Sequence, residues 1–449
     1  MTKGNRVVEW IKTVLIVLLS VSALMLAWRT DLFSGIIDNL PFFGSVADLV
    51  RGSAGTTETG GVDIKEAARP LCIVITNENG DHYGVKYDTD TRNAVYDRTS
   101  SIIGEALGSA SMPKVVDESE WREALSGTGI YFEYLYPVKL SVLDGWLGAP
   151  MPETAEDVPI RRVCVAFGED KSRVYYQDIE RGLFIGADTA SASGKIQELE
   201  IYSENGAVLA FEMGIPSFKN APYMLIMQES EHPVVSAVTA GSGEELLEIT
   251  IEAMGQSEET YTKYYDNRGV LVCVGTQFNS RVDANGRVFF RWIDEPEQNQ
   301  NKTRNKTQGE TQDEYQSKNQ DNEKQIPDVS KMIEGARAIV SDTIVKTCGD
   351  AEVFFETAKY EPDGSYSVYF GYYIAGGRIF LHNDDYAARI RFSSGAVSDI
   401  ELNYRSFLLT SEFTKLFSEK YALAAAGGEF ILSYSDSGPE TLEPSWVKY

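Results

Sequence analysis

The chain has 449 residues, 43% of them apolar, which is enough for several buried cores and excludes a disordered polymer. Acidic residues outnumber basic ones by 67 to 41, a formal net charge of −26. Phosphate backbones need a basic face, so nucleic acid is excluded as a partner, and anionic lipid would repel the bulk of the chain. At roughly 150 residues per domain, the length points to about three domains.

The first feature in chain order is the run Thr13 to Trp28, TVLIVLLSVSALMLAW, which carries no charge. Ile11 extends it, and Lys12 reaches back to the interface, giving nearly the ~20 residues that a helix needs to cross a bilayer. Trp10 and Trp28 bracket the run, and Lys3, Arg6 and Lys12 precede it. That pattern predicts a cytoplasmic tail over 1–10, a transmembrane helix over 11–28 and an extracytoplasmic bulk, so a single-pass protein of the cell membrane. The competing reading is a signal peptide cleaved at Val21-Ser22-Ala23. The apolar run continues past that site to Trp28, which favours the uncleaved anchor. Thr13, Ser20, Ala23 and Ala27 recur at spacings of seven, three and four, so they line one helical face. Small residues there let a second transmembrane helix approach closely, and this stripe is the candidate partner contact. Against it stands the frequency of Ala and Ser in any span.

Residues 29–61 read as a juxtamembrane segment and a joint. Leu32, Phe33, Ile36, Ile37 and Leu40 fall on one helical face, Pro41 interrupts it, and Gly52 to Gly61 is rich in Gly and Thr. A first α+β domain is expected over 62–203. LCIVITN and HYGVKYD form a hairpin about Glu78-Asn79-Gly80-Asp81. A helix follows over about Arg92 to Leu107, and Asp117-x-x-Glu120 reads as a capping box. GIYFEYLYPV is a strong strand, and RRVCVAFG, SRVYYQD and GLFIGAD make a three-stranded meander.

A middle α+β domain is expected over 204–294. There Ser242-x-x-Glu245 caps a helix through Leu247, and TYTKYYD, VLVCVG and RVFFRW are strands. Residues 295–328 are Asn- and Gln-rich with almost no apolar side chain, which predicts a disordered polar linker.

The last α+β domain covers 329–449. It opens with a helix from about Ser330 to Lys346. AEVFFETAKY and SYSVYFGYYI are strands joined at Asp363-Gly364. YAARIRF and SDIELNY form a hairpin about Ser394-Gly395-Ala396. One register sets Arg391 against Asp399 and Arg389 against Glu401, with Ile390 on Ile400 and Ala388 on Leu402 on the opposite face. Ser411 to Ala425 reads as an amphipathic helix and EFILSYS as a strand. The fold class is therefore α+β, with antiparallel sheets and helices packed on one face.

Signals for chemistry are weak. Ser111-x-x-Lys114 has the spacing of a penicillin-binding nucleophile, but Pro113 breaks the helix turn that the motif needs. Ser341-Asp342-Thr343 is a poor second motif, and no Lys-Thr-Gly follows. His82, His232 and His382 are scattered and read as surface or turn residues. With no His or Cys cluster, no metal and no cofactor is expected. Asp88-x-Asp90 reads as a turn and Asp384-Asp385 as loop solvation. Cys72, Cys164, Cys273 and Cys348 show no CxxC spacing, and the first three lie in apolar runs where a thiol acts as a small core residue.

The layout resembles the YycH family of Firmicutes. The likeness rests on the anchor VEWIKTVLIVLLSVSALMLAW, on YLYPVKLSVLDGWLG with RRVCVAFGEDKSRVYYQD, and on YYDNRGVLVCVG with RVFFRW. It continues through YSVYFGYYIAGGRIF, ARIRFSSGAVSDIELNY and the ending LSYSDSGPETLEPSWVKY. That ending, with Leu442, Pro444 and Trp446, also resembles the shorter YycI proteins. The resemblance implies a membrane-anchored, non-enzymatic regulator of a WalK (YycG) sensor histidine kinase that controls cell-wall homeostasis, with a YycI-like protein as a further partner. The Asn/Gln-rich stretch before the last domain departs from the family pattern as an insertion. An envelope scaffold or ligand-binding sensor without a kinase partner is the alternative, and a cell-wall enzyme built on Ser111 and Lys114 is the third reading.

Overall fold

The computed structural model describes residues 64–449 apart from 153–154, 169–170, 191–198, 200, 257–260, 294–327, 383–385, 439–440 and 449. The anchor over 11–28, its stripe, the segment 29–61, the linker short of Asp328, and Asp384-Asp385 lie outside the described residues.

After a 3-10 turn at Ile64–Ala68, the first part of the chain builds β1 (Cys72–Thr76), β2 (His82–Val85), α1 (Thr89–Gly108), β3 (Lys114–Val116), α2 (Glu118–Ser126), β4 (Gly129–Lys139), α3 (Leu140–Trp146), β5 (Pro159–Phe167), β6 (Ser172–Asp178) and β7 (Leu183–Thr189). The strands form one sheet in the order β2-β1-β4-β5-β6-β7-β3. The hairpin and the meander read from the sequence are both present, with Thr76 opposite His82 and Ser172 opposite Thr189.

The expectation of helices on one face is corrected here. Ile73, Ile75, Ile130, Phe132, Val163 and Val165 pack with Val95, Ile102 and Ile103 of α1. The alternate residues Cys72, Val74, Tyr131 and Cys164 pack with Trp121, Ala124 and Leu125 of α2. Successive strand residues point to opposite faces, so a strand such as β1, apolar at nearly every position, needs a helix on each side.

The rest of the chain builds β8 (Val208–Leu209), β9 (Leu225–Ile226), β10 (Glu231–Thr239), α4 (Gly243–Ala253), β11 (Tyr261–Tyr265), β12 (Leu271–Gly275), β13 (Phe278–Val282) and β14 (Arg287–Trp292). Then come α5 (Val329–Asp342), β15 (Glu352–Tyr360), β16 (Tyr366–Ile374), β17 (Gly377–Leu381), β18 (Ala388–Ser393), β19 (Ala396–Asn403), β20 (Arg405–Lys415), α6 (Glu419–Ala426), β21 (Phe430–Asp436), β22 (Thr441–Leu442) and β23 (Ser445–Lys448). An eleven-stranded sheet runs β11-β12-β13-β14-β19-β18-β16-β17-β21-β23, with β15 also on β16. Its pairs are antiparallel except β17 with β21. Strands from 204–294 and from 329–449 thus share one sheet through β14 and β19. A second, three-stranded sheet orders β20-β10-β22.

Ser242 and Glu245 form the expected capping box, and the helix runs on to Ala253. Asp328, last in the stretch read as linker, caps α5 by accepting the Ser330 N–H. Asp88, read as a turn, is the N-cap of α1 and accepts from Thr91. The second box does not form. Asp117 precedes α2 without a side-chain cap bond, because Glu120 is drawn instead to Arg173 and to the Tyr175 hydroxyl on β6.

The β18–β19 hairpin adopts the expected register at all four pairs. Arg389 reaches Glu401 at 2.8 Å. Arg391 and Asp399 do not pair as expected: Arg391 turns to Asp363 and Ser365, while Asp399 takes Arg291, its cross-strand neighbour on β14. The segment Ser411 to Ala425 is not one helix. Its first five residues continue β20 against β10, and only Glu419–Ala426 is helical. Strand pairing along β10 overrides the helical spacing of its apolar residues.

Candidate functional site

The predicted contact residues Thr13, Ser20, Ala23 and Ala27 lie outside the described residues. No helix among the described residues is long and apolar enough to cross a membrane.

The enzymatic candidates are not brought together. Ser111 is exposed in an extended segment where its N–H donates to the Asp188 carbonyl at 2.8 Å. Lys114 opens the edge strand β3, so the helical turn that would juxtapose the two side chains is absent. Ser341 and Asp342 end α5, beside the 3-10 turn Ile344–Lys346. No group of three His, Cys, Asp or Glu among the described residues is placed to hold a metal.

Two histidines overturn the surface reading. His82 on β2 is buried, with Nδ1 at 2.9 Å from the Thr76 hydroxyl and Nε2 at 2.8 Å from Glu212. His232 on β10 is buried edge-on between Tyr87 and Trp446, with ring centroids 4.7 and 5.3 Å away. Burial, with Lys86 nearby, pushes His232 down to about 4, so it stays neutral at physiological pH. Both are strand residues with a partner more than a hundred positions away, Glu212 for His82 and both Tyr87 and Trp446 for His232. Sequence spacing carries no trace of that. His382 is exposed.

The chemically dense region is the seam between the two large sheets. Glu419, at the start of α6, is fully buried and accepts from Lys86 Nζ at 2.6 Å, from the Tyr87 hydroxyl and from the Met227 N–H. Arg161 and Arg162 on β5 meet Glu133 on β4 and Glu429 next to β21. Burial alone pushes the Glu429 carboxyl up, but the Arg162 and Arg161 guanidinium groups more than reverse this and hold it well below the usual carboxylate range. Arg92, fully buried in α1, pairs with Glu352 on β15. Arg378 on β17 pairs with Glu356 at 2.9 Å. Leu71, Leu135, Phe354 and Tyr373 pack between these ion pairs. Desolvated pairs of this kind lock orientation more than they add stability, and Nε and Nη1 of Arg92 are buried with no hydrogen-bond partner.

Two clefts lie along α1. One of about 310 Å³ is lined by Arg98, Thr99, Ile102, Leu199, Ile201 and Tyr202. Another, of about 530 Å³, is an open groove between Gly104 and Gly108 on one side and Leu147, Ala149 and Pro150 on the other. The large exposed apolar side chains include Phe413, Phe417 and Tyr421, which follow one another from the end of β20 into α6.

No family model matches the sequence, and no curated protein matches it. A solved structure does: YycH from Bacillus subtilis superposes over 87% of this chain and 96% of that one, with a TM-score of 0.52 and 13% sequence identity. The chain has the fold of YycH. A match of that extent reaches residues on both sides of 294–327. At 13% identity the likeness speaks for the architecture.

Proposed function

We propose that this chain is a non-enzymatic, membrane-anchored regulator of a sensor histidine kinase of the WalK/YycG type, acting on the control of cell-wall homeostasis. The observation that supports the reading is the YycH fold over 87% of the chain, joined to an N-terminal run of sixteen uncharged residues. A single-span protein shifts a kinase only by binding one of its states better than another, and each 1.4 kcal/mol of difference changes the ratio of states about tenfold. In this reading the contact within the bilayer is the face carrying Thr13, Ser20, Ala23 and Ala27. The contact outside it is the exposed set Phe413, Phe417 and Tyr421. A YycI-like protein is the natural second partner.

The test replaces Ser20, Ala23 and Ala27 together by Ile. Bulky side chains on that face keep helices apart. Kinase autophosphorylation in membranes should become independent of the regulator while its level stays unchanged. Control that survives the triple change removes the stripe from the account. A labelled β-lactam should leave Ser111 unmodified; acylation there would replace the regulator with an enzyme.

A further inference from the structure

Helix α3 carries an acid where its packing calls for an apolar side chain. Leu140, Val142, Leu143 and Trp146 are buried, and between them Asp144 is only 1% exposed. Both carboxylate oxygens of Asp144 lack a hydrogen-bond partner. The hydroxyl of Tyr134 on β4, close enough to be influenced by Asp144, is also buried without one. Tyr176 on β6 also feels its charge, and the charge that bears on Asp144 is the Asp157 carboxylate. Several other titratable groups on the elements packed against α3 have partners of their own. Tyr96 of α1 donates to the Lys65 carbonyl at 2.6 Å, Glu66 of the first 3-10 turn pairs with Arg69, Lys139 pairs with Asp157, and Glu334 of α5 takes Arg337. Among the described residues no cation bears on Asp144.

An ionised carboxylate in such a place has no compensating partner and costs several kcal/mol, so the group takes up a proton instead. Burial, and then Asp157, push it up to about 7. The same helix also ties the two sheets together. The Ser141 hydroxyl lies 3.2 Å from that of Ser330, and Trp146 Nε1 donates to Glu334 at 3.1 Å. Ser330 and Glu334 are one turn apart on α5, the helix that opens the C-terminal part. The Trp146 ring also meets Phe355 of β15 edge-on, 6.1 Å between centroids. With seven residues and no side-chain N-cap, α3 is held by packing rather than by its own helical stability.

We propose that α3 is a proton-operated joint between the two sheets: a neutral Asp144 seats the helix and holds α5, and an ionised Asp144 draws the helix toward water and releases Ser330 and Glu334. The seated state binds the proton more tightly than the open one. Its advantage is therefore complete below the ordinary Asp range, declines as pH rises from there, and stops declining above about 7. On the outer side of a membrane such a joint would report ambient acidity to whatever partner the protein binds, and it stands whether or not that partner is a kinase.

Amide hydrogen exchange on the full-length chain, corrected for intrinsic rates, tests it. Opening of the peptides covering α3 and α5 should rise by more than about tenfold between about pH 5.5 and about pH 8, with the β18–β19 hairpin unchanged. Asp144→Asn should flatten the response in both peptides. Ser141→Ala with Trp146→Phe should leave the response in α3 and remove it from α5. A wild-type response that is flat, or one that persists in Asp144→Asn, overturns the proposal. A response in α5 that survives the double change overturns the link between the two helices.

Discussion

Lys86 and Glu419 stand 333 positions apart in the chain and 2.6 Å apart in space, both buried. The pair pins the end of the first hairpin to the first turn of α6, and the Tyr87 hydroxyl and the Met227 N–H complete the carboxylate's shell. Beside it the two-residue turn Ala375-Gly376 comes so close that a Cβ on Gly376 would lie 2.6 Å from the Tyr87 ring and 2.8 Å from the Lys86 carbonyl. Removing one partner of a buried ion pair strands the other, at a cost of about 3–5 kcal/mol. Glu419→Ala should therefore lower the denaturant midpoint strongly. The double change Lys86→Met with Glu419→Leu should recover most of that loss, since no buried charge remains. A double variant as unstable as the single one would show that the shape of the site, not the stranded ammonium, sets the cost.

The Arg161, Arg162, Glu133 and Glu429 cluster makes the seam sensitive to acid. The folded-state carboxyl of Glu429 is held below its ordinary range by Arg162 and Arg161, against the pull of burial. Its contribution is thus fully present above the ordinary Glu range and is lost as pH falls through and below it. Urea unfolding should show stability dropping on acidification, with a shallower drop in Glu429→Gln. At neutral pH that variant should be weaker by about 3 kcal/mol, as expected for a broken buried pair. Equal acid slopes in both proteins would place the acid sensitivity elsewhere.

The β18–β19 turn offers a stabilising change. Ser394 and Gly395 have φ of 54° and 84°, the positive pair that a type I′ hairpin turn requires. Serine adopts that conformation less readily than asparagine, and Ser394 is exposed. Ser394→Asn should raise stability by about 0.5–1 kcal/mol, read as a higher thermal midpoint. A lower midpoint would mean that the serine has a role the turn geometry does not show.

The four cysteines are free and buried. Burial pushes Cys164 up to about 12, Cys273 to about 11 and Cys348 to about 11, which leaves almost no thiolate at neutral pH. Thiol reagents should modify none of them in the native protein and all four in denaturant, on a timescale set by unfolding. Rapid native labelling of any one would mark a local opening at that strand.

Sequence reading went furthest where local chemistry decides structure. The β18–β19 register was legible because charge on one face and apolar burial on the other select a single alignment, and Ala388, Arg389 and Ile390 sit opposite Leu402, Glu401 and Ile400 accordingly. The Ser242–Glu245 box was legible for the same reason. Long-range pairing defeated it elsewhere. Nothing near Arg391 shows that Asp363 lies within its reach, and nothing near Asp399 announces Arg291. Phe413, Phe417 and Tyr421 have a helix's spacing, yet β10 claims the first of them for a strand. Asp144 looks like any polar residue of an amphipathic helix until the sheets close over both of its sides. The predicted partner contact rests on the pattern of four small residues alone.

The regulator reading is tested most directly by co-purification of a WalK/YycG-type sensor histidine kinase with the intact chain and with a version lacking residues 1–28 fused to a different anchor. The account predicts that the kinase is retained by the intact protein and is lost, or held far more weakly, when the native helix is exchanged. Equal retention by both forms would contradict the transmembrane contact, and no retention by either would contradict the kinase partner itself.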